Sequence, residues 1–235
     1  MNTYPLYLAV AFALTAFVCI YLFYRATRNN TKVLLLISVW LVIQAIISIP
    51  GFYTITNTMP PRFLLLVLPP LLLVIVLFVT KRGKRFLDSL DVRLLTLLHV
   101  VRVPVELVLF GLFTYEMVPR LMTFEGMNFD ILSGITAPVL FYLVFLKRRI
   151  DQKWLLVWNC ICLLLLINIV TIAVLSAPFP FQQLAFDQPN IGVLYFPFVW
   201  LPCCVVPLVL LSHLAAIRIL LRKQLPEKAV SLALK

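Results

Sequence analysis

Charged residues are scarce in this chain: they make up 12% of its 235 residues, whereas 63% are hydrophobic. A soluble globular domain is nearer to about a quarter charged and about half apolar. The mean hydropathy of +1.06 is too high for a chain whose whole surface faces water. The composition therefore excludes an ordinary soluble domain, and lipid is the expected solvent for most of the chain.

Histidine is rare, with two residues, and the five cysteines all fall inside apolar stretches. Cys160-x-Cys162 and Cys203-Cys204 lack the two-residue spacer of zinc and redox motifs. The sequence therefore predicts no disulfide framework and no bound cofactor, with His99 and His213 left as an alternative ligand pair for a metal or a haem. No lysine lies in the middle of an apolar stretch, which excludes a retinal Schiff base of the microbial rhodopsin kind.

Apolar stretches long enough to cross a bilayer, which takes about 20 residues, recur along the whole chain. They predict an all-α polytopic membrane protein in which residues 1–235 form a single transmembrane domain, a bundle of seven helices. The first stretch follows no basic segment and has no evident cleavage site, so we expect a retained helix rather than a signal peptide. The expected spans are approximately 4–24, 33–49, 63–80, 94–115, 131–146, 154–176 and 193–221.

The basic residues predict the orientation of the bundle. Of the 20 Lys and Arg residues, Arg62 and Arg120 fall in the loops of one side, and Arg102 falls within a span. All the others lie in the loops of the opposite side, at the end of the last span or in the C-terminal segment. The positive-inside rule then places the N-terminus outside and the C-terminus in the cytoplasm, in the inner (plasma) membrane. The net charge of +11 predicts contact with anionic lipids at the cytoplasmic face, and no nucleic-acid partner.

An ionisable cluster interrupts the fourth predicted span and consists of His99, Arg102 and Glu106. An Arg or Asp in the bilayer costs roughly 2.5–3.5 kcal/mol on insertion scales, so a chain that keeps such groups uses them or pairs them. The three side chains fall on one helix face, and Arg102 and Glu106 are spaced to form an ion pair within the helix. Pro104 removes a backbone donor between them and predicts a kink.

Polar residues of other spans are expected close to this cluster. His213 in the last span and Asn159 in the sixth lie at depths similar to that of His99, and Gln44 of the second span lies near mid-membrane. If the fourth and seventh spans touch, these side chains line a polar pocket together with the cluster.

The outer loop between the fourth and fifth spans is the second polar segment of the chain. Its polar residues are Arg120, Glu125, Asn128 and Asp130. Asp130 is placed to cap the fifth helix. The loop is either a folded connection at the membrane surface or a lid over the outer mouth of the site.

Three roles remain open on these residues. The first is the binding or conduction of a small solute or proton through a cavity lined by His99, Arg102 and Glu106. The second is a structural or assembly subunit in which an Arg102–Glu106 bridge holds the bundle together. The third is a membrane-embedded enzyme or a bis-His haem protein, and an enzyme is the less favoured role because no nucleophile stands beside Glu106 or His99.

Three motifs extend from the fourth span onward: Arg102-Val-Pro-Val-Glu106, Met122-Thr-Phe-Glu-Gly-x-Asn-Phe-Asp130 and Ser212-His213-Leu. They resemble the pattern of an uncharacterised family of small bacterial polytopic inner-membrane proteins. The resemblance implies a location in the inner membrane and no particular activity.

Overall fold

Helices form the architecture of this protein. The computed structural model describes the backbone of residues 4–233 and the side chains of residues 4–222, and it contains no strand in that part of the chain. Lys223, Lys228 and Lys235, which contribute to the predicted orientation, lie outside the described side chains. The α-helices, in chain order, are α1 Leu6–Ala26, α2 Thr31–Ser48, α3 Leu64–Val79, α4 Lys81–Asp88, α5 Val92–Leu98, α6 Arg102–Thr114, α7 Asp130–Leu140, α8 Gln152–Leu175 and α9 Val206–Ala233.

Most of these helices are apolar, and several have the length of a membrane span. Helix α3 and helix α4 make one further span if the pair is counted together, with a bend of 91° between them. The apolar segment Asp130–Leu146 is shorter. The predicted all-helical class is thereby confirmed, and the length and composition of these helices suggest a membrane-spanning protein. Within the part of the chain that the structure describes, five segments are long and apolar enough to cross a bilayer: Leu6–Ala26, Thr31–Ser48, Val92–Thr114, Gln152–Leu175 and Leu201–Arg222.

Side-chain caps begin four of the helices and fix where the chain turns into them. The Asn30 side chain accepts a hydrogen bond from the N–H of Lys32 at 3.1 Å, and Asp91 accepts one from Arg93 at 2.8 Å. Thr80 and Asp151 cap α4 and α8 in the same way. Each cap gives one of the free N–H groups of a first helical turn a partner, which stabilises a helix by about 1 kcal/mol.

The bend between α3 and α4 depends on close backbone contact. A Cβ on Gly83 would come within 2.3 Å of the Leu77 carbonyl oxygen, so only glycine fits there. Asp88, at the end of α4, accepts hydrogen bonds from Arg218 Nε at 2.8 Å and Nη2 at 3.1 Å, and it also pairs with Arg222. These contacts fasten α4 to α9 across the side of the protein that carries the basic loops.

The fourth predicted span is one helical segment with an irregular turn inside it. A 3₁₀ turn at His99–Val101 separates α5 from α6, and Pro104 follows in the first turn of α6. A proline ring leaves the carbonyl four residues earlier, here Val100, without its helical donor. The irregularity predicted from Pro104 is therefore present, displaced toward the N-terminal side of the proline.

The last predicted span begins later than the sequence suggested. A 3₁₀ turn at Gly192–Leu194 and a turn over residues 195–199 stand where helix was expected, and the helix starts only at Trp200, with a π-turn at Leu201–Val205 that leads into α9. Pro197 and Pro202 account for this difference, since each lacks the N–H that a continuous helix would use. The prediction of a helix from residue 193 was wrong by about two turns.

Two segments occupy the centre of the bundle. In an apolar stretch of 18 residues within each span, the buried share is 56% for Val92–Thr114 and 67% for Leu201–Arg222, against 17% for Thr31–Ser48. Helix α1 packs on α5 and α6, α5 packs on α9, α6 packs on α7, and α8 packs on α9. The ionisable cluster therefore lies on one of the two most enclosed segments of the protein.

A close approach between α6 and α7 gives a first testable prediction. A Cβ on Gly134 would lie 2.7 Å from Val103 Cγ2 and 2.9 Å from Val103 N. We expect Gly134→Ala to push the two helices apart and to lower the free energy of unfolding by about 1–3 kcal/mol. Unfolding by SDS titration in mixed micelles measures it, with Ile135→Ala, on the exposed side of the same helix, as the control. If Gly134→Ala and Ile135→Ala had the same free energy of unfolding, the close packing of α6 on α7 would be contradicted.

Candidate functional site

The centre of the site is a buried ion pair between two helices. Arg102 Nη1 on α6 lies 2.9 Å from Asp130 Oδ1 on α7, and the two residues are 3% and 6% exposed. The same Nη1 lies 3.4 Å from the Cys162 carbonyl oxygen on α8. Arg102 Nε and Nη2 have no hydrogen-bond partner among the described residues. The pair links α6 to α7 inside the apolar bundle.

The predicted Arg102–Glu106 bridge is wrong. Among the described residues, Arg102 forms an ion pair with Asp130 and none with Glu106. Asp130 was expected to cap the fifth helix, yet it makes no capping hydrogen bond and instead points its carboxylate at Arg102. The physical reason is that α7 begins against α6, and a carboxylate in the first turn of α7 is favoured by the helix dipole there.

Asn128 organises the carboxylates of this site. Its Nδ2 donates to Glu106 Oε1 and, at 3.0 Å, to the Met122 carbonyl oxygen. Its Oδ1 accepts from the backbone N–H of Asp130 at 3.0 Å. One amide therefore positions Glu106, the outer loop and the start of α7 together. Glu106 Oε2 is left buried with no partner among the described residues.

A cavity of about 100 Å³ lies beside these carboxylates. Glu106 and Asp130 line one part of it, and Asn190, from the loop before the last helix, is its third polar residue. The remaining lining is apolar and comes from α3, α6, α8, the 3₁₀ turn at Arg120–Met122 and the residues around the π-turn of the last segment. A cavity of this size holds a few waters or the polar end of a small molecule.

The two histidines meet in the protein interior. The imidazole rings of His99 and His213 are stacked, with centroids 3.8 Å apart and planes inclined by 15°. The Asn159 amide donates to the Leu155 carbonyl oxygen, so its Oδ1 accepts and His213 Nδ1 carries the proton of their 2.9 Å hydrogen bond. The contact between the fourth and seventh spans, assumed in the sequence analysis, is therefore present.

The stacked rings do not fit two axial ligands of a haem. Axial imidazoles approach the iron from opposite faces of the macrocycle with a nitrogen pointing at the metal. Here the ring faces of His99 and His213 touch each other, which leaves no space for a macrocycle between them. Within the described residues, no group of three or more His, Cys, Asp or Glu side chains is arranged to hold a metal ion.

Other predicted site residues lie apart from this centre. Gln44 Oε1 accepts from the hydroxyl of Tyr53, in the turn after α2. Burial raises the pKa of Tyr53 to about 12, so the phenol keeps the proton that it donates. Arg120 and Glu125 stay on the surface 4.0 Å apart, where an ion pair contributes little stability. The outer loop thus sends Asn128 and Asp130 inward and leaves its other two charges exposed.

Sequence reasoning missed two residues of this region. Asn190 lines the cavity, and nothing in the sequence separates it from the other polar residues of its loop, Gln182, Gln183, Asp187 and Gln188. Trp158 lies edge-on to His99, with ring centroids 5.5 Å apart, and 5.9 Å from His213. A tryptophan among apolar residues carries no signal of that role.

Comparison with known proteins gives a family and no activity. The sequence model of the family described as Domain of unknown function (DUF8737) matches residues 59–221. No curated protein and no solved structure matches the chain. The match supports the uncharacterised family expected from the motifs, while the bacterial origin and the motif pattern stay predictions.

Proposed function

The chain belongs to the DUF8737 family, whose function is not established, and we propose that it is a multi-pass membrane protein that binds a small solute beside Glu106 and Asp130. The observation that carries the proposal is the unpartnered Oε2 of Glu106 at the wall of a cavity. A buried polar atom without a partner costs about 1–3 kcal/mol, and more when it is charged. A bound solute supplies the missing partner, whereas a purely structural Glu106 leaves that cost uncompensated.

Thermal unfolding in lipid nanodiscs tests this role with four-carbon probes that suit the cavity: butylamine, butanol and butyrate. At 100 times its Kd, a probe that binds the folded protein stabilises it by about 2.7 kcal/mol. We expect at least one probe to raise the Tm of the wild type and of Glu125→Gln. The same probe leaves Ala173→Phe, whose ring fills the cavity, unchanged. If every probe shifts wild type and Ala173→Phe alike, the cavity is not a binding site.

A structural role is the second candidate, and the Arg102–Asp130 pair supports it because it joins α6 to α7. In that role the protein is an assembly or scaffold subunit, and Glu106 serves to hold Asn128. Glu106→Gln separates the two candidates: the amide keeps the size of the carboxylate and removes its charge. If Glu106 is structural, Glu106→Gln changes the stability of the protein but not the Tm shift that any probe causes. If Glu106 binds the solute, Glu106→Gln abolishes the Tm shift.

The membrane arrangement is part of the proposal. We place seven crossings in the membrane by adding the bent pair α3–α4 and the short segment Asp130–Leu146 to the five long helices. The N-terminus faces outward and the C-terminus faces the cytoplasm of the inner membrane. The exposed side chains Lys81, Arg82, Lys84 and Arg85 on α4 then contact anionic lipid headgroups at the cytoplasmic face.

A further inference from the structure

The cavity presents hydrogen-bond acceptors without matching donors. Glu106 Oε2 and Asn190 Oδ1 both belong to lining residues, are buried, and have no partner among the described residues. The Asn190 amide nitrogen has a partner, since it donates to the Ala173 carbonyl oxygen at 3.0 Å. Among the described side chains that line the cavity, no buried nitrogen lacks a partner. An occupant that donates hydrogen bonds therefore matches the two free acceptors.

The charged groups around the cavity do not balance: two carboxylates face one basic group. Glu106 and Asp130 are the two carboxylates that line it, and Arg102 is the basic group paired with Asp130. Asn128 holds Glu106 through a neutral amide. An ionised Glu106 is therefore left without a compensating charge, and an uncompensated buried charge is strongly unfavourable.

The route into the cavity is apolar. The lining residues that keep partial exposure lie on two helices and the start of the last segment: Val67 on α3, Val170, Ala173 and Val174 on α8, then Pro202 and Val206. The polar lining residues Glu106, Asp130 and Asn190 are buried. In a membrane-spanning bundle, such an opening between α3 and α8 faces lipid, so an occupant enters from the bilayer.

We propose that the cavity binds the primary ammonium group of a membrane-partitioned amine, with its alkyl chain leaving between α3 and α8. An ammonium has three donors, no acceptor and one positive charge. It therefore supplies both the donors and the charge that this lining lacks. This inference rests on the proposed function and names the class of solute. A trimethylammonium carries the same charge without N–H donors, and an alcohol has a donor without the charge.

Equilibrium dialysis tests the proposal with radiolabelled octylamine, octyltrimethylammonium and octanol, against protein in nanodiscs and empty nanodiscs. At pH 7 octylamine is charged, since alkyl ammonium groups titrate near pKa ~10.4. We expect the wild type to bind octylamine at least about tenfold more tightly than either analogue. Glu106→Gln lowers octylamine affinity about tenfold or more, and the exposed Glu125→Gln leaves it unchanged.

Two further variants keep the test decisive if Glu106→Gln fails to fold. Val170→Trp blocks the opening while Glu106 stays intact, and Asn190→Leu removes the second acceptor. Both are expected to weaken octylamine binding. If all three probes bind the wild type equally and Val170→Trp abolishes them, the ammonium assignment is overturned and the proposed function stands. If no probe binds above empty nanodiscs, both are overturned.

Discussion

Asp130→Asn is expected to be among the most destabilising single substitutions in this protein. It removes the charge partner of Arg102, which is 3% exposed and lies 2.9 Å from the Asp130 carboxylate. Breaking a buried pair on one side leaves an uncompensated charge in a medium that cannot solvate it. The expected loss of unfolding free energy is about 3–5 kcal/mol. SDS titration in mixed micelles measures it.

The control for this substitution is Asp187→Asn, the same chemical change on an exposed loop residue, which we expect to be nearly neutral. A double variant, Arg102→Met with Asp130→Leu, replaces both charges by apolar groups. Because such replacement of a buried pair is often neutral or stabilising, we expect it to recover most of the lost stability. Equal stability of Asp130→Asn and Asp187→Asn would show that Arg102 does not depend on Asp130.

The wrong prediction for the partner of Arg102 shows that spacing along one helix identifies neighbours on that helix only. Positions i and i+4 on α6 put Glu106 within reach of Arg102, and nothing in the sequence gives the distance to a residue on another helix. Asp130 is 28 positions away and reaches Arg102 because α7 begins against α6. A polar residue near a helix start looks like a cap from sequence alone, although its side chain here points into the bundle.

The contact between His99 and His213 was easier to predict from the sequence than the partner of Arg102. Residue count from a span end gives depth, and depth is shared by every helix of a membrane bundle. The two histidines and Asn159 were therefore predicted at one level, and the structure brings them into contact. Depth does not show which helices are neighbours. Gln44 was expected near the histidines because of its depth, but it contacts Tyr53 instead.

Asn128→Ala is the second substitution for which we expect a large effect. It deletes donors to Glu106 Oε1 and to the Met122 carbonyl oxygen, and the acceptor for the Asp130 N–H. These groups are buried, and each one left without a partner costs about 1–3 kcal/mol. We expect a total loss near 2–5 kcal/mol in unfolding free energy. Asn168→Ala, at an exposed amide that donates one hydrogen bond to the Met127 carbonyl oxygen, is the control.

Asn128→Asp sharpens this expectation because it separates hydrogen bonding from size. An aspartate at position 128 can still accept from the Asp130 N–H, but an ionised carboxylate donates nothing to Glu106 or Met122. It also places a third carboxylate beside Glu106 and Asp130, where like charges repel in a medium of low dielectric constant. We therefore expect Asn128→Asp to be less stable than Asn128→Ala in the same SDS titration. The opposite order would mean that the stability does not depend on the hydrogen bond that Asn128 donates to Glu106.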